Sequence, residues 1–142
     1  AGGRACGRLA GRAAATLAAA RQHSALAPLA DILAPRWDKL GPAILAAGKT
    51  ARTDLDLALA NAYLLLDAMG HAVVAWLWLD QAVCAADALA AEGVSASRRA
   101  LLQGKQAAAH YFISWELPGN AAQLGRVTAA DPLCRDLDAA LL

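Results

Sequence analysis

Asp67 and His71 stand four residues apart in a run that reads as helix, so they share one face, where an aspartate can orient an imidazole. Gln81 and the indole N–H of Trp78 extend the pair into a thin polar stripe on an otherwise apolar rod. A general acid–base dyad needs a nucleophile or a substrate pocket, and the sequence identifies neither. A metal site needs further ligands, and His23 and His110 keep no fixed spacing to the pair. Contact with another subunit or domain stays open. The plainest reading is a buried pair that satisfies itself, because buried polar groups are normally hydrogen-bonded.

Lys105 falls on the apolar stripe of a later helix, from which it can snorkel to water or pair with a carboxylate of the central helix. Glu116 sits at the end of that helix, where a negative charge is disfavoured by ~0.3–1 kcal/mol, so a compensating partner such as an arginine is expected. Trp76, Trp78, Tyr111, Phe112 and Trp115 supply most of the aromatic mass. Core packing claims such rings first. A Trp-rich interface is the second reading, since Trp and Tyr are enriched at binding hot spots. All of these residues are structural or interface candidates; none is assigned a catalytic, cofactor-binding or metal-binding role.

The sequence contains no G-x-G-x-x-G, P-loop, G-x-S-x-G or H-E-x-x-H motif. Thirteen Lys and Arg against twelve Asp and Glu leave a net charge of +1, too little field to steer nucleic acid, so nucleic-acid binding is not expected. Cys6, Cys84 and Cys134 are far apart and form no C-x-x-C pair, which fits a reducing, cytoplasmic setting. Residues 1–12 carry arginines but no following apolar block, so they do not read as a signal peptide. Without an initiator Met, the chain reads as cut from a longer protein.

The elements that must position these residues are helical. With 142 residues the chain can bury one ordinary core, as a single helical domain. Its 40 alanines against eight Val and Ile favour helix and starve strands of β-branched residues. Arg4, Arg8 and Arg12 recur every four residues as the solvated face of a first helix over residues 4–23. A second stretch runs from a Ser24 cap to about residue 47, with Gly48 closing it and kinks or breaks expected at Pro35 and Pro42. Asp54 caps a central helix that continues to residue 92, where Gly93 ends it. Such a helix spans about 57 Å at ~1.5 Å per residue, against about 37 Å across for a globule of this size, so an elongated bundle is expected. Gly70 then serves to let a neighbouring helix approach closely.

Residues 57–79 are apolar nearly all round, as in a helix surrounded by others or by lipid. Asp54, Asp56, Asp67, His71 and Asp80 in or beside that window argue for a buried central helix and against membrane insertion. A fourth helix runs over residues 98–117 from a Ser95 or Ser97 cap until Pro118, with Leu101, Lys105, Ala108, Phe112 and Trp115 on one stripe and Leu102, Ala109 and Ile113 beside it. A short fifth helix over 120–130 and a tail over 131–142 follow. The expected architecture is all-α: an elongated antiparallel bundle of four to five helices around a long apolar central helix.

Two blocks go further. Leu59-Ala60-Asn61-Ala62 with the run from Met69 through His71, Trp76, Trp78 and Gln81 to Ala82 resembles the C-terminal extension of a branch of bacterial acyl-CoA dehydrogenases. The run Gly104 to Pro118 resembles that extension's G-K-x-x-A-x-x-Y-F-x-x-W-E-x-P pattern through Gly104, Lys105, Ala108, Tyr111, Phe112, Trp115, Glu116 and Pro118. The blocks keep the family's order and a similar separation, and the likeness covers about residues 55–131.

The resemblance implies an FAD-dependent enzyme of fatty acid metabolism that introduces a double bond α,β to an acyl-CoA thioester. A glutamate base and the FAD belong to the preceding dehydrogenase core of the same polypeptide, not to this chain. The extension itself is expected to be non-catalytic, to pack on that core in a homo-oligomer, and to support assembly and closure of the substrate region. The alternative is a free-standing helical interaction module that self-associates through its Trp-rich face.

Overall fold

The computed structural model describes residues 3–138 and residue 140, and the side chains of residues 3 and 4, including the Arg4 member of the basic stripe, lie outside the described set. Among the described residues every regular element is helical: α1 (Gly3–Ala20), α2 (Ala27–Thr53), α3 (Leu55–Ala60), α4 (Ala62–Ala90), α5 (Ala96–Tyr111), a π-helical turn (Phe112–Glu116), α6 (Leu117–Gly119), α7 (Gln123–Ala129) and α8 (Leu133–Asp136). Arg8 and Arg12 are exposed on α1, as a solvated face requires, while Ala13, Leu17 and Ala20 are buried on the other side.

Neither Pro35 nor Pro42 breaks α2, and Gly48 does not close it. The physical reason lies in where the prolines point. Pro28, Pro35 and Pro42 repeat every seven residues and are all exposed, whereas Leu29, Ala30, Leu33, Leu40 and Ala43 are buried. The carbonyls that the two interior prolines orphan belong to the exposed residues Asp31 and Asp38, so water can satisfy them. Burial of the opposite face supplies what the ladder loses.

The central helix is interrupted at Asn61. Asp54 caps α3 as expected, its carboxylate accepting from the Leu57 N–H at 2.9 Å. Asn61 then ends α3, and its buried amide donates to the Leu57 carbonyl at 3.1 Å and to the Asp131 carbonyl at 2.9 Å. A short polar side chain that bonds nearby backbone competes with helix continuation, which explains the break. Among the described residues a Cβ at Gly70 would meet nothing within 4 Å, so the glycine is not required there by a close helix contact. Gly70→Ala is therefore expected to stabilise the chain by about 0.5–1 kcal/mol through helix propensity, read as a higher urea midpoint. A loss of stability would mean that the position is crowded after all.

Gly93 lies in the connection after α4 with φ +72°, the left-handed conformation that glycine adopts without strain. Ser95 caps α5, accepting from the Arg98 N–H at 3.4 Å. The fourth helix differs from expectation in register. Ala109, Ile113 and Leu117 form its buried line, while Leu101 and Trp115 are exposed. A π-turn replaces the continuous α-helix, and Pro118 lies inside α6.

The described chain divides into two compact units, one of residues 1–37 and 72–119 and the other of residues 38–71 and 120–142, with α2 and α4 contributing to both. In the first, Leu17, Leu29, Leu33, Trp76, Leu79, Ile113 and Leu117 pack with Ala13, Ala20, Ala30, Ala75, Ala82 and Ala109 into one core. In the second, Leu40, Ala43, Ala68, Leu124 and Val127 are buried with Asn61 and Asn120. The short helices α3 and α8 lie together there, tied by an ion pair from Arg135 to Asp54.

The expectation of a buried central helix is corrected. In α4, Ala72, Ala75, Trp76, Leu79, Ala82 and Ala85 are buried, but Tyr63, Leu66, Val74 and Leu77 are exposed. An all-round apolar sequence leaves the partner of its second face unspecified, because periodicity alone cannot separate a face covered within the chain from one left open. Among the described residues α4 is also the helix long and apolar enough to cross a bilayer by length and composition.

Candidate functional site

Asp67 and His71 meet as the i, i+4 spacing requires. His71 Nδ1 lies 2.9 Å from the Asp67 carbonyl and 3.3 Å from Asp67 Oδ1. Both are acceptors, so Nδ1 is the ring nitrogen that donates to them. The pair is half-buried, not buried. Two amides from the last third of the chain complete the cluster: Asn120 Nδ2 donates to Asp67 Oδ2 at 3.4 Å, and Gln123 also bonds the Asp67 carboxylate. Sequence reasoning missed both, because residues more than fifty positions away in a loop and at the start of α7 carry no local signal.

The Gln123 amide, helped by Asn120 and the charge of His71 and opposed by desolvation, holds the Asp67 carboxyl below the usual carboxylate range. A depressed folded value means that this group stabilises the fold above the unfolded pKa of about 3.9, and that this contribution disappears as pH falls through the lower folded value. Asp67→Asn is expected to flatten the acid limb of stability against pH. Urea unfolding at stepped pH between neutrality and strong acid reads it, and an unchanged limb would remove Asp67 from the set of linked groups.

Gln81 and Trp78 do not serve this pair. Lys105 Nζ bonds Gln81 Oε1 at 2.9 Å and sits 5.3 Å from the centre of the Trp78 ring. Of the two expected partners, water or a carboxylate of the central helix, the half-exposed Lys105 shows no carboxylate among the described residues: it bonds an amide and stands over an indole. Glu116 likewise has a tyrosine where an arginine was expected: Tyr111 Oη donates to Glu116 Oε1 at 2.5 Å. This hydrogen bond, and then the carboxylate's charge, push the Tyr111 phenol up.

The aromatic residues do not share one face. Trp76 is buried, stands edge-on to Trp37 with centroids 6.1 Å apart, and carries the Arg12 guanidinium 5.7 Å from its ring. Its indole donates to Thr16 Oγ1 at 2.9 Å, and Thr16 donates in turn to Asp80 Oδ1 at 2.8 Å. Phe112 packs against the core from the π-turn, whereas Tyr111 and Trp115 are exposed. His23 pairs with Asp87 at 3.2 Å, and no cluster of metal-ligating residues occurs among the described residues. Cys6, Cys84 and Cys134 are free and exposed.

The hydroxyls that meet a carboxylate, Thr16 at Asp80 and Tyr111 at Glu116, are held in pairwise hydrogen bonds within this arrangement. Its open chemistry is surface: an exposed run of Leu55, Leu59, Tyr63 and Leu66 along α3 and α4, and the Tyr111 and Trp115 edge of the π-turn. The chain belongs to the acetyl-CoA dehydrogenase C-terminal-like family, whose model matches residues 9–138. That match begins in α1 and so extends well upstream of the two blocks. No curated protein matches the chain.

Proposed function

We propose that this domain is the non-catalytic assembly element of an FAD-dependent acyl-CoA dehydrogenase, packing on the dehydrogenase core of its own cytoplasmic, homo-oligomeric polypeptide. The observation that carries this reading is the run Leu55, Leu59, Tyr63 and Leu66, exposed by 59%, 61%, 71% and 68% along α3 and the start of α4. Contiguous exposed apolar residues of this kind mark an interaction surface. A protein partner suits the run better than lipid, because Asp67 and His71 stand beside it on α4 and charge is costly in a bilayer.

The family implies FAD, and neither of two concavities among the described residues suits its pyrophosphate. The concavity lined by Ala107, His110, Tyr111, Ser114 and Trp115 carries no Arg or Lys for a pyrophosphate, and in the one lined by Arg12, Thr16, Trp76 and Asp80 the arginine stacks on the indole opposite a carboxylate. The flavin and the base are assigned to the preceding core, and this domain acts on turnover by holding loops and subunits in place.

The chain alone should show no flavin absorbance and no dehydrogenation of acyl-CoA with an electron acceptor, and turnover by it would refute the non-catalytic assignment. In the complete enzyme, Leu59→Ser with Leu66→Ser should weaken subunit assembly. An unchanged native mass with unchanged kcat would overturn the packing role.

A further inference from the structure

The π-turn after α5 sets the side chains around it. The Leu117 N–H bonds the Phe112 carbonyl five residues back, and Ile113 and Leu117 stay buried on the inner side. Trp115 is left 74% exposed and Tyr111 55% exposed. These rings, with Ala107, His110 and Ser114, line a shallow concavity of about 400 Å³ whose wall is mostly carbon. At its phenol end stands the Glu116 carboxylate, held by Tyr111 Oη through one oxygen and forming no ion pair among the described residues.

The other tryptophans show what this one lacks. Arg12 covers Trp76, Lys105 covers Trp78, and Trp37 is packed edge-on against Trp76. Trp115 has an open face, and a carboxylate with a spare oxygen follows it directly in the chain. An open indole, an open phenol ring and an unpaired carboxylate together complement a planar cation: a guanidinium stacks on the ring while its N–H fork takes the carboxylate. A compact ammonium can use the charge but not the stacking. An apolar segment would use the rings and leave the carboxylate without a counter-charge.

We propose that Tyr111, Trp115 and Glu116 form a docking site for an arginine side chain presented by a partner polypeptide segment. The site rests on this local geometry alone and goes beyond the assembly reading, so its failure would leave that reading intact.

The test uses the 142-residue chain labelled with ¹⁵N and three peptides: acetyl-Ala-Arg-Ala-amide, its lysine counterpart and its citrulline counterpart. The arginine peptide should shift the Trp115 indole N–H saturably and bind on the order of tenfold more tightly than the uncharged citrulline peptide, with lysine between them. Glu116→Gln, which keeps an acceptor for Tyr111, should abolish that preference, and Trp115→Leu, at an exposed position, should weaken arginine binding without unfolding the chain. Equal binding of the citrulline peptide would point to an apolar occupant and overturn the proposal. A Trp115 shift that depends on protein concentration and excludes the arginine peptide would give the site to a second copy of the chain and overturn it too. Absence of any saturable shift, or a preference that survives Glu116→Gln, would do the same.

Discussion

Leu79→Ala lowers the unfolding free energy by about 2–5 kcal/mol, the range for a buried leucine truncated in a core that cannot close around the gap. Leu79 is fully buried in α4, and Ala75 and Ala82 flank it on the same helix face. Alanines have no side-chain rotamers with which to refill a cavity, and the larger neighbours Leu29, Leu33 and Ile113 are themselves fixed in the same cluster. Urea unfolding should show a lower midpoint with an unchanged slope. Leu66→Ala, at an exposed position on the same helix, should change stability by no more than about 0.5 kcal/mol. Equal losses at the two sites would mean that the alanine-lined core is not where the chain's stability resides.

Thr16→Val removes one hydroxyl that two partners share. Thr16 accepts from the buried Trp76 indole and donates to Asp80, linking α1 to α4. Valine matches the shape but not the acceptor, so the indole N–H stays buried without a partner at a cost of about 1–3 kcal/mol. Asp80 is exposed and regains its hydrogen bond from water, so the penalty falls on the tryptophan. Thr16→Ser keeps the hydroxyl and should lose less than the valine variant. Stability measured alongside tryptophan emission checks this, and a valine variant as stable as the parent would show that water reaches the indole.

The all-α class was legible because alanine richness and the scarcity of Val and Ile act on every residue of the chain. The caps at Asp54 and Ser95 and the left-handed Gly93 were legible for a local reason: each bonds or turns the backbone within three residues. Position along the sequence could not show that Pro35 and Pro42 face water, and that orientation is what lets α2 run through them. The π-turn escaped for a similar reason, since one extra residue in a turn changes register without changing composition. Asp67 and His71 were readable as a pair from their spacing, but Asn120 and Gln123 reach them only through the tertiary fold. The same limit applies to Lys105 and Glu116: the need for a partner was legible, and the partner's identity was not.

Whether this chain is the C-terminal part of a flavoenzyme is read most simply from the mass of the native polypeptide in its source cells, using an antibody raised against the chain. A band several-fold above 14.6 kDa is expected, as a dehydrogenase core joined to this domain requires. A band at 14.6 kDa would overturn the assignment, because no core would then share the polypeptide whose run of Leu55, Leu59, Tyr63 and Leu66 is held to pack against it.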